Sequence, residues 1–403
     1  MLLQHFLSTI ASLTLLLPLA SIAEIDEAQP IDDIDDILQE SDDFFESLTG
    51  PDAEPKKESA LVLLASVRSG IGHSTNFLKR NQPIDSEYLQ MEMDAFLGWA
   101  SDTVFLSALL FAETIQYDYD FDPSDESMAS IRLTGQISRG PFDFGTELTT
   151  TWGSVIYEPG FLDLDLESGT RIEQFVPSLL LYADWYVTDL NRFRFGLSLL
   201  RADYDVENQD FWDYAAPFEW EHVWSTALRT VTKMEMLRQV HDDDVARDKY
   251  GNEMPGMHPL IVHQLGLEQK LVWEPERWDW LRTDLEIGVK WRDEDAGHYE
   301  AMRQTWIAAK FQITNRYGQF RLSGRWGEYR YDERVVLTNT LDLQTLRSMT
   351  IEYRRELPWD LEFILRAQWN THHYRLDENF IPDAQEDDSY AERRGAILIG
   401  WSY

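Results

Sequence analysis

The sequence contains no cysteine among its 403 residues. Disulfide bridges, thiolate metal sites, covalently attached haem and a lipid-modified N-terminal cysteine are therefore excluded. Basic residues are scarce as well, because 35 Lys and Arg stand against 72 Asp and Glu, for a formal net charge of −37. A chain of this charge repels phosphate groups, which excludes a nucleic-acid partner held by general electrostatic attraction.

Long apolar runs are also missing after the N-terminus. No later stretch approaches the ~20 uncharged apolar residues that a membrane-spanning helix needs. The first segment is shorter than a span: residues 13–20 are largely apolar, and Ser21 and Ala23 place small residues where signal peptidase reads them. We predict that residues 1–23 are a signal peptide cleaved after Ala23, with a short N-terminal anchor helix as the alternative. A chain without spanning helices enters a membrane only as a closed barrel.

Residues 24–57 form an acidic segment that carries no basic residue before Lys56. Within it Ile31, Ile34 and Leu38 recur at three- to four-residue intervals, as on one face of a short helix. An isolated helix of this length is marginal in water. We therefore predict a periplasmic segment that is either disordered or a short helix docking on a partner or in the lumen.

From residue 58 to residue 403 the dominant pattern has a period of two. In residues 281–292 apolar Leu285 and Ile287 alternate with charged Asp284, Glu286 and Lys290, and residues 89–97, 320–326 and 361–370 show the same division. Such strands place one face toward lipid and the other toward water. The pattern predicts an all-β transmembrane fold, a closed antiparallel barrel of 14–16 strands.

The number of strands depends on one stretch. About fifteen strands can be marked, although bacterial single-chain barrels have an even number. Residues 218–240 are long enough for two strands but contain no Gly or Pro to turn the chain. The count is sixteen if this stretch turns at residues 224–227, and fourteen if one weaker strand elsewhere is wrong. Short turns are expected near residues 100–102, 139–141, 188–190, 274–277, 315–318 and 357–358, and long connections near 72–86, 118–128, 157–169, 203–217, 241–257, 332–342 and 376–390.

The last residues of the chain carry an assembly signal. Ile397, Ile399, Trp401 and Tyr403 occupy alternate positions up to the C-terminus. This ending resembles the terminal strand of Gram-negative outer-membrane β-barrel proteins, porin-like proteins whose final aromatic residue is read by the barrel-assembly machinery. The resemblance implies a bacterial outer-membrane location, with outer-membrane lipid, lipopolysaccharide and that machinery as partners. Residues 69–76 also resemble a strand-end pattern in the barrel part of surface-lipoprotein assembly modifiers.

The polar faces of the strands define the candidate site. They carry both signs of charge, as solvated pores do, where opposed charges set a transverse field. An alternative role is mutual neutralisation across strands, which keeps the interior hydrated. The predicted lumen charges are Glu92, Asp94, Arg282, Asp284, Glu286, Lys290, Arg292, Arg321, Arg325, Glu362 and Arg366.

An enzyme is not expected. The pair His372 and His373 lies in a predicted strand, where adjacent side chains point to opposite faces and do not share a metal. No zinc motif, phosphate loop or nucleophile elbow occurs, so we assign no catalytic residue, metal or cofactor. The sequence favours a passive channel for small hydrophilic solutes, with a surface-protein or lipoprotein assembly or translocation barrel as the alternative.

Overall fold

The computed structural model describes residues 60–76, 83–118, 125–156, 171–205, 210–242, 246, 248, 252, 254, 259–278, 280–295, 301–336, 340–375 and 390–402. The predicted signal peptide of residues 1–23, the acidic segment of residues 24–57 and Tyr403 lie outside the described residues. No helix in the described ranges is long and apolar enough to cross a membrane.

Sixteen strands form one closed antiparallel barrel, which confirms the predicted fold class at the upper end of its range. Each strand pairs with its sequence neighbours, and β16 pairs with β1 to close the sheet. The strands are β1 (Ala60–Ser74), β2 (Ser86–Ala100), β3 (Val104–Tyr117), β4 (Glu126–Arg139), β5 (Phe142–Ile156), β6 (Arg171–Thr188), β7 (Asn191–Tyr204), β8 (Phe211–Ser225), β9 (Leu228–His241), β10 (Ile261–Trp273), β11 (Leu281–Glu294), β12 (Met302–Asn315), β13 (Gly318–Val336), β14 (Thr340–Leu357), β15 (Leu361–Arg375) and β16 (Tyr390–Ser402). A single turn of 3-10 helix, Glu276–Trp278, precedes β11.

The ambiguous stretch of residues 218–240 is a hairpin. Strand β8 ends at Ser225 and β9 begins at Leu228, so the chain turns within the interval on which the strand count depends. The turn uses neither Gly nor Pro, because the Ser225 hydroxyl accepts a hydrogen bond from the backbone N–H of Ala227 at 3.2 Å. A hydroxyl that bonds its own backbone two residues later is an ordinary turn device, though a weaker sequence signal than glycine.

The connections alternate in length around the barrel. The short turns lie at the same end as the start of β1 and the end of β16, and the six predicted short turns are confirmed. One long connection was missed, between Glu294 and Met302. Two others were predicted too long, because β8 already begins at Phe211, and β13 continues to Val336 while β14 begins at Thr340.

The two faces of the wall differ as a membrane-spanning barrel requires. Apolar side chains point outward and are exposed, for example Ile287 (60% exposed), Leu365 (47%) and Leu197 (66%). Charged neighbours point inward, and Asp284 is only 4% exposed. In a hydrocarbon environment a closed sheet satisfies every backbone hydrogen bond internally, so only the outward side chains meet lipid. The period-two prediction for these strands is confirmed.

Thiol labelling tests directly which side chains point toward lipid and which toward the lumen, because the chain has no native cysteine. We expect Ile287→Cys and Leu365→Cys to be shielded from a water-soluble thiol reagent in intact membranes. Glu286→Cys and Arg325→Cys, which lie on the inner face, should be labelled through the lumen. Glu286 and Ile287 are sequence neighbours, so each serves as the control for the other. Equal labelling of the two positions would contradict the register.

Candidate functional site

The candidate site is the inner wall of the barrel. The structure places all the predicted lumen charges on inward-facing positions, with Glu92 and Asp94 on β2, five residues on β11, and two each on β13 and β15. The five on β11 are Arg282, Asp284, Glu286, Lys290 and Arg292; those on β13 are Arg321 and Arg325, and those on β15 are Glu362 and Arg366. Their environments differ, however, and divide the wall into two sectors.

One sector contains a closed cycle of alternating arginine and glutamate side chains, here called the Arg–Glu ring. Each member contacts the next within ion-pair distance, and the last contacts the first. The ring joins the first two strands of the barrel to β14 and β15 across the closing seam between β1 and β16. In order around the cycle, its members are Arg68, Glu92, Arg366, Glu352, Arg354 and Glu362.

Arg68 makes three of the contacts at the seam. Its Nε lies 2.9 Å from Oε2 of Glu362, and its Nη1 lies 3.4 Å from Oε2 of Glu92. The same Nη1 lies 2.9 Å from Oδ1 of Asp94. The Arg68 side chain is 8% exposed, so these pairs are shielded from bulk water. Arg68 is not among the lumen charges predicted from the sequence.

The other half of the ring centres on Glu352. Its Oε2 lies 3.0 Å from Nε of Arg366, and its Oε1 lies 3.4 Å from Nη2 of Arg354. Arg366 also reaches Oε1 of Glu92 at 2.8 Å, while Nε of Arg354 lies 3.3 Å from Oε1 of Glu362. Buried charges are tolerated when each one is paired and hydrogen-bonded, and the ring meets that condition for all six.

A glycine makes room for the ring. Gly400 lies between Arg68 and Glu362 in the register of β1, β16 and β15. A Cβ at this position would come 2.5 Å from Cγ of Arg68. The missing side chain therefore lets Arg68 pass over β16 and reach a carboxylate two strands away. On the same inner face, Ile364 and Leu398 are fully buried.

Nearer the long connections, a second cluster fills the same sector. Arg394 on β16 places Nη2 3.0 Å from Oε1 of Glu126 on β4 and Nε 2.5 Å from Oε1 of Glu392. The Tyr117 hydroxyl donates to Glu126 at 2.8 Å. Because β16 and β4 lie four strands apart, this contact and the Arg–Glu ring together bridge the inner face from β14 to β4.

From β6 to β11 the inner charges pair mainly with adjacent strands. Arg194 donates from Nε and Nη2 to the two oxygens of Asp184, both at 2.9 Å. Arg192 lies 2.6 Å from Glu219 and 2.8 Å from Glu221. The series continues through Arg229–Glu221, Lys233–Glu268, Lys270–Asp284 and Arg282–Asp284. Cross-strand pairs of opposite sign stabilise a sheet, as the mutual-neutralisation alternative expects.

The second sector, from β9 to β13, faces solvent. The Lys233 side chain points inward and is 51% exposed. Most other inward-facing charges on these strands are partly exposed, in contrast to Glu92 and Glu352 in the ring, although Asp284, Glu294 and Arg321 are buried. We call these residues the pore-facing set; they are Lys233, Glu235, Glu286, Lys290, Arg292, Lys310 and Arg325. Basic residues outnumber acidic ones within it.

An aromatic side chain organises the centre of this sector. The indole N–H of Trp306 donates to Oε1 of Glu286 at 2.6 Å, and the guanidinium of Arg325 lies 5.4 Å from the Trp306 ring centroid. A Cβ at Gly288 would come 2.0 Å from that ring, so the glycine lets the indole lie against the wall. Trp306 was not selected from the sequence, because β12 has apolar residues on both faces near it.

The histidine pair behaves as its place in a strand predicts. His372 lies on the inner face and is fully buried, whereas His373 lies on the outer face and is exposed. Among the described residues, no group of three or more His, Cys, Asp or Glu side chains is placed to hold a metal ion.

The C-terminal signal residues lie on the outer face of the last strand. Ile397, Ile399 and Trp401 are 48%, 56% and 46% exposed, on the side that meets lipid. Tyr403 lies outside the described residues, and the role of the signal in assembly stays a prediction.

No protein-family model and no curated protein matches this chain. Among the solved structures to which it is similar are three outer-membrane porins. These are OccK2 (OpdF) of Pseudomonas aeruginosa (9% identity, 84% of this chain and 98% of that chain, TM-score 0.45), OccAB2 of Acinetobacter baumannii (8%, 85% and 98%, 0.46) and OpdK of Pseudomonas aeruginosa, solved with vanillate (8%, 87% and 100%, 0.44). The identities are low, and no correspondence between individual residues follows from them.

Proposed function

We propose that the chain is a passive channel for small hydrophilic solutes in the bacterial outer membrane. The observation that carries this proposal is the pore-facing set, a row of at least partly exposed charges on the inner face of a closed sixteen-stranded barrel. Strands spaced ~4.8 Å apart and tilted by ~40° make a backbone cylinder about 30 Å across. Side chains do not fill a cylinder of that width unless they converge over several strands, as they do among the described residues of the sector from β14 to β4.

Two partners belong to the same proposal. The outward apolar face requires a lipid environment, and the long connections, at the end opposite the start of β1 and the end of β16, fit the extracellular side, where lipopolysaccharide forms the outer leaflet. The barrel-assembly machinery is the partner for insertion, through the C-terminal residues that end at Tyr403. Residues 1–23 serve export, and residues 24–57 form a periplasmic segment.

Single-channel recording in a planar bilayer tests the channel directly. We expect the purified full-length protein to give steady, ohmic openings in KCl. Protein that is folded, as judged by heat-modifiable migration, but gives no openings would remove the proposal. Silence would favour the surface assembly or translocation barrel, which passes a polypeptide rather than ions.

The acidic segment provides a prediction for the same recordings. It carries negative charge close to a lumen whose pore-facing set is mainly basic, so we expect it to enter the pore and reduce conductance. Deleting residues 24–55 should raise conductance at low salt, and the difference should shrink above ~0.1 M, where charges are screened beyond about 10 Å. Neutralising four aspartates of the segment together should raise conductance by a smaller amount than the deletion does. The four changes are Asp32→Asn, Asp33→Asn, Asp35→Asn and Asp36→Asn. If the deletion variant conducts like the full-length protein at both low and high salt, the segment is only a tether or a partner-docking helix.

A further inference from the structure

The outer face near the long connections carries a repeated cross-strand pair of arginine and tryptophan. Arg303 on β12 is directly opposite Trp291 on β11, and Arg347 on β14 is directly opposite Trp326 on β13. Two more pairs are Arg393 with Trp369 on the last two strands and Arg201 with Trp212 on β7 and β8. All of these positions belong to the outward set of their strands.

Tryptophan marks a depth in the membrane. Its amphipathic ring is enriched at the level of the lipid headgroups in barrels and helices alike. An arginine paired with each tryptophan therefore holds its guanidinium at the headgroup level. Because the long connections lie on this side, the leaflet concerned is the outer one.

These arginines differ in their partners. Arg201 is already neutralised, because it forms ion pairs with Asp203, Asp210 and Asp242 at 2.6 to 3.3 Å. Arg303 and Arg347 are exposed, and in the described ranges of the chain neither forms an ion pair. Two guanidinium groups thus face the lipid headgroups without a carboxylate from the described wall.

The arrangement at Arg303 is more unusual still. Its direct cross-strand partner on β13 is Arg330, which is also exposed and has Glu328 at 3.6 Å. Like charges directly opposite in a sheet are destabilising unless something of opposite sign lies between them. A phosphate offers several oxygens, and arginine binds phosphate through paired N–H donors. An anionic group bridging Arg303 and Arg330 would turn this repulsion into an attraction.

We propose that Arg303, Arg330 and Arg347 form a binding site for the phosphate groups of the phosphorylated glycolipid of the outer leaflet, lipopolysaccharide. The overall charge of the chain strengthens the argument, since a protein of net charge −37 is repelled by an anionic leaflet unless basic groups face it locally. The tryptophans Trp291 and Trp326 fix the depth, and the three arginines supply the contacts. The inference rests on the proposed insertion in the outer membrane and is independent of channel activity.

Native mass spectrometry of the full-length protein in a non-ionic detergent tests the site. The probes are bisphosphorylated lipid A and the same lipid after removal of both phosphates. We expect the protein to retain the phosphorylated lipid about tenfold more strongly, as several charge-assisted contacts imply. The combined change Arg303→Gln, Arg330→Gln and Arg347→Gln should abolish that preference.

The matched control variant removes the same amount of charge at the end of the barrel that carries the short turns. It combines Arg139→Gln, Arg316→Gln and Arg355→Gln, and it should keep the preference for the phosphorylated lipid. Equal retention of both lipids by the unmodified protein, or unchanged retention by the Arg303/Arg330/Arg347 variant, would overturn the proposal. Heat-modifiable migration verifies folding, and Arg303→Gln with Arg330→Gln alone gives a milder variant. Conductance in a bilayer without lipid A, recorded in parallel, reports a failure of the channel separately.

Discussion

Replacing Arg68 with methionine is expected to lower the free energy of unfolding by about 3–5 kcal/mol, the cost of leaving buried charge without its partner. Glu92, Asp94 and Glu362 all contact this one guanidinium, and Arg68 is 7% exposed. Loss of the arginine leaves carboxylates crowded at the seam in a site with little water. Methionine keeps most of the volume, so the loss reports charge rather than packing.

Urea titration in lipid vesicles, followed by tryptophan fluorescence, measures this change. Arg139→Met is the control, because Arg139 is an exposed residue at the end of β4, and its replacement should change the free energy of unfolding by less than about 0.5 kcal/mol. Combining Arg68→Met with Asp94→Asn and Glu362→Gln should restore part of the stability, since the carboxylates no longer lack a counter-charge. Equal effects of Arg68→Met and Arg139→Met would show that the Arg–Glu ring does not stabilise the barrel.

The second large effect concerns the selectivity of the pore. A triple variant removes three positive charges from the pore-facing set through the changes Lys290→Gln, Lys310→Gln and Arg325→Gln. Charges that line a narrow aqueous path between low-dielectric walls act strongly on passing ions. We therefore expect the ratio of anion to cation permeability to fall roughly threefold.

The reversal potential under a KCl gradient measures this ratio. Glu235→Gln, which removes a negative charge from the same set, should move the ratio in the opposite direction. Arg139→Gln, Arg316→Gln and Arg355→Gln remove equal charge away from the inner wall and should leave the ratio unchanged. A shift of the same size in both triple variants would mean that net charge, rather than the pore-facing set, determines selectivity.

Much of the architecture was predictable from the sequence, because lipid imposes a strict rule on one face of every strand. The alternation of Leu285 and Ile287 with Asp284 and Glu286 assigned their faces correctly. The strand count stayed open for a local reason: the turn after Ser225 depends on a hydroxyl rather than on glycine or proline. The connection from Glu294 to Met302 was missed because the polar residues of β11 continue into it.

The division of the inner wall into two sectors was not predictable. Glu92 and Glu286 follow the same alternation, yet Glu92 is buried in the Arg–Glu ring and Glu286 faces the solvent-exposed sector. The difference arises from contacts such as that between Arg68 and Glu362, which are 294 residues apart in sequence. Arg68 itself was overlooked because the preceding residues 61–64 of β1 are apolar on both faces.

The position of the Arg–Glu ring also bears on how cargo leaves the barrel. A barrel that releases a substrate laterally into the membrane must separate its first strand from its last strand. Here Arg68 passes over Gly400 to Glu362, so parting β1 from β16 would break ion pairs and draw their charges toward hydrocarbon. Such a lateral gate would face the desolvation cost of several ions at once. The Arg–Glu ring therefore opposes lateral opening of the barrel between β1 and β16.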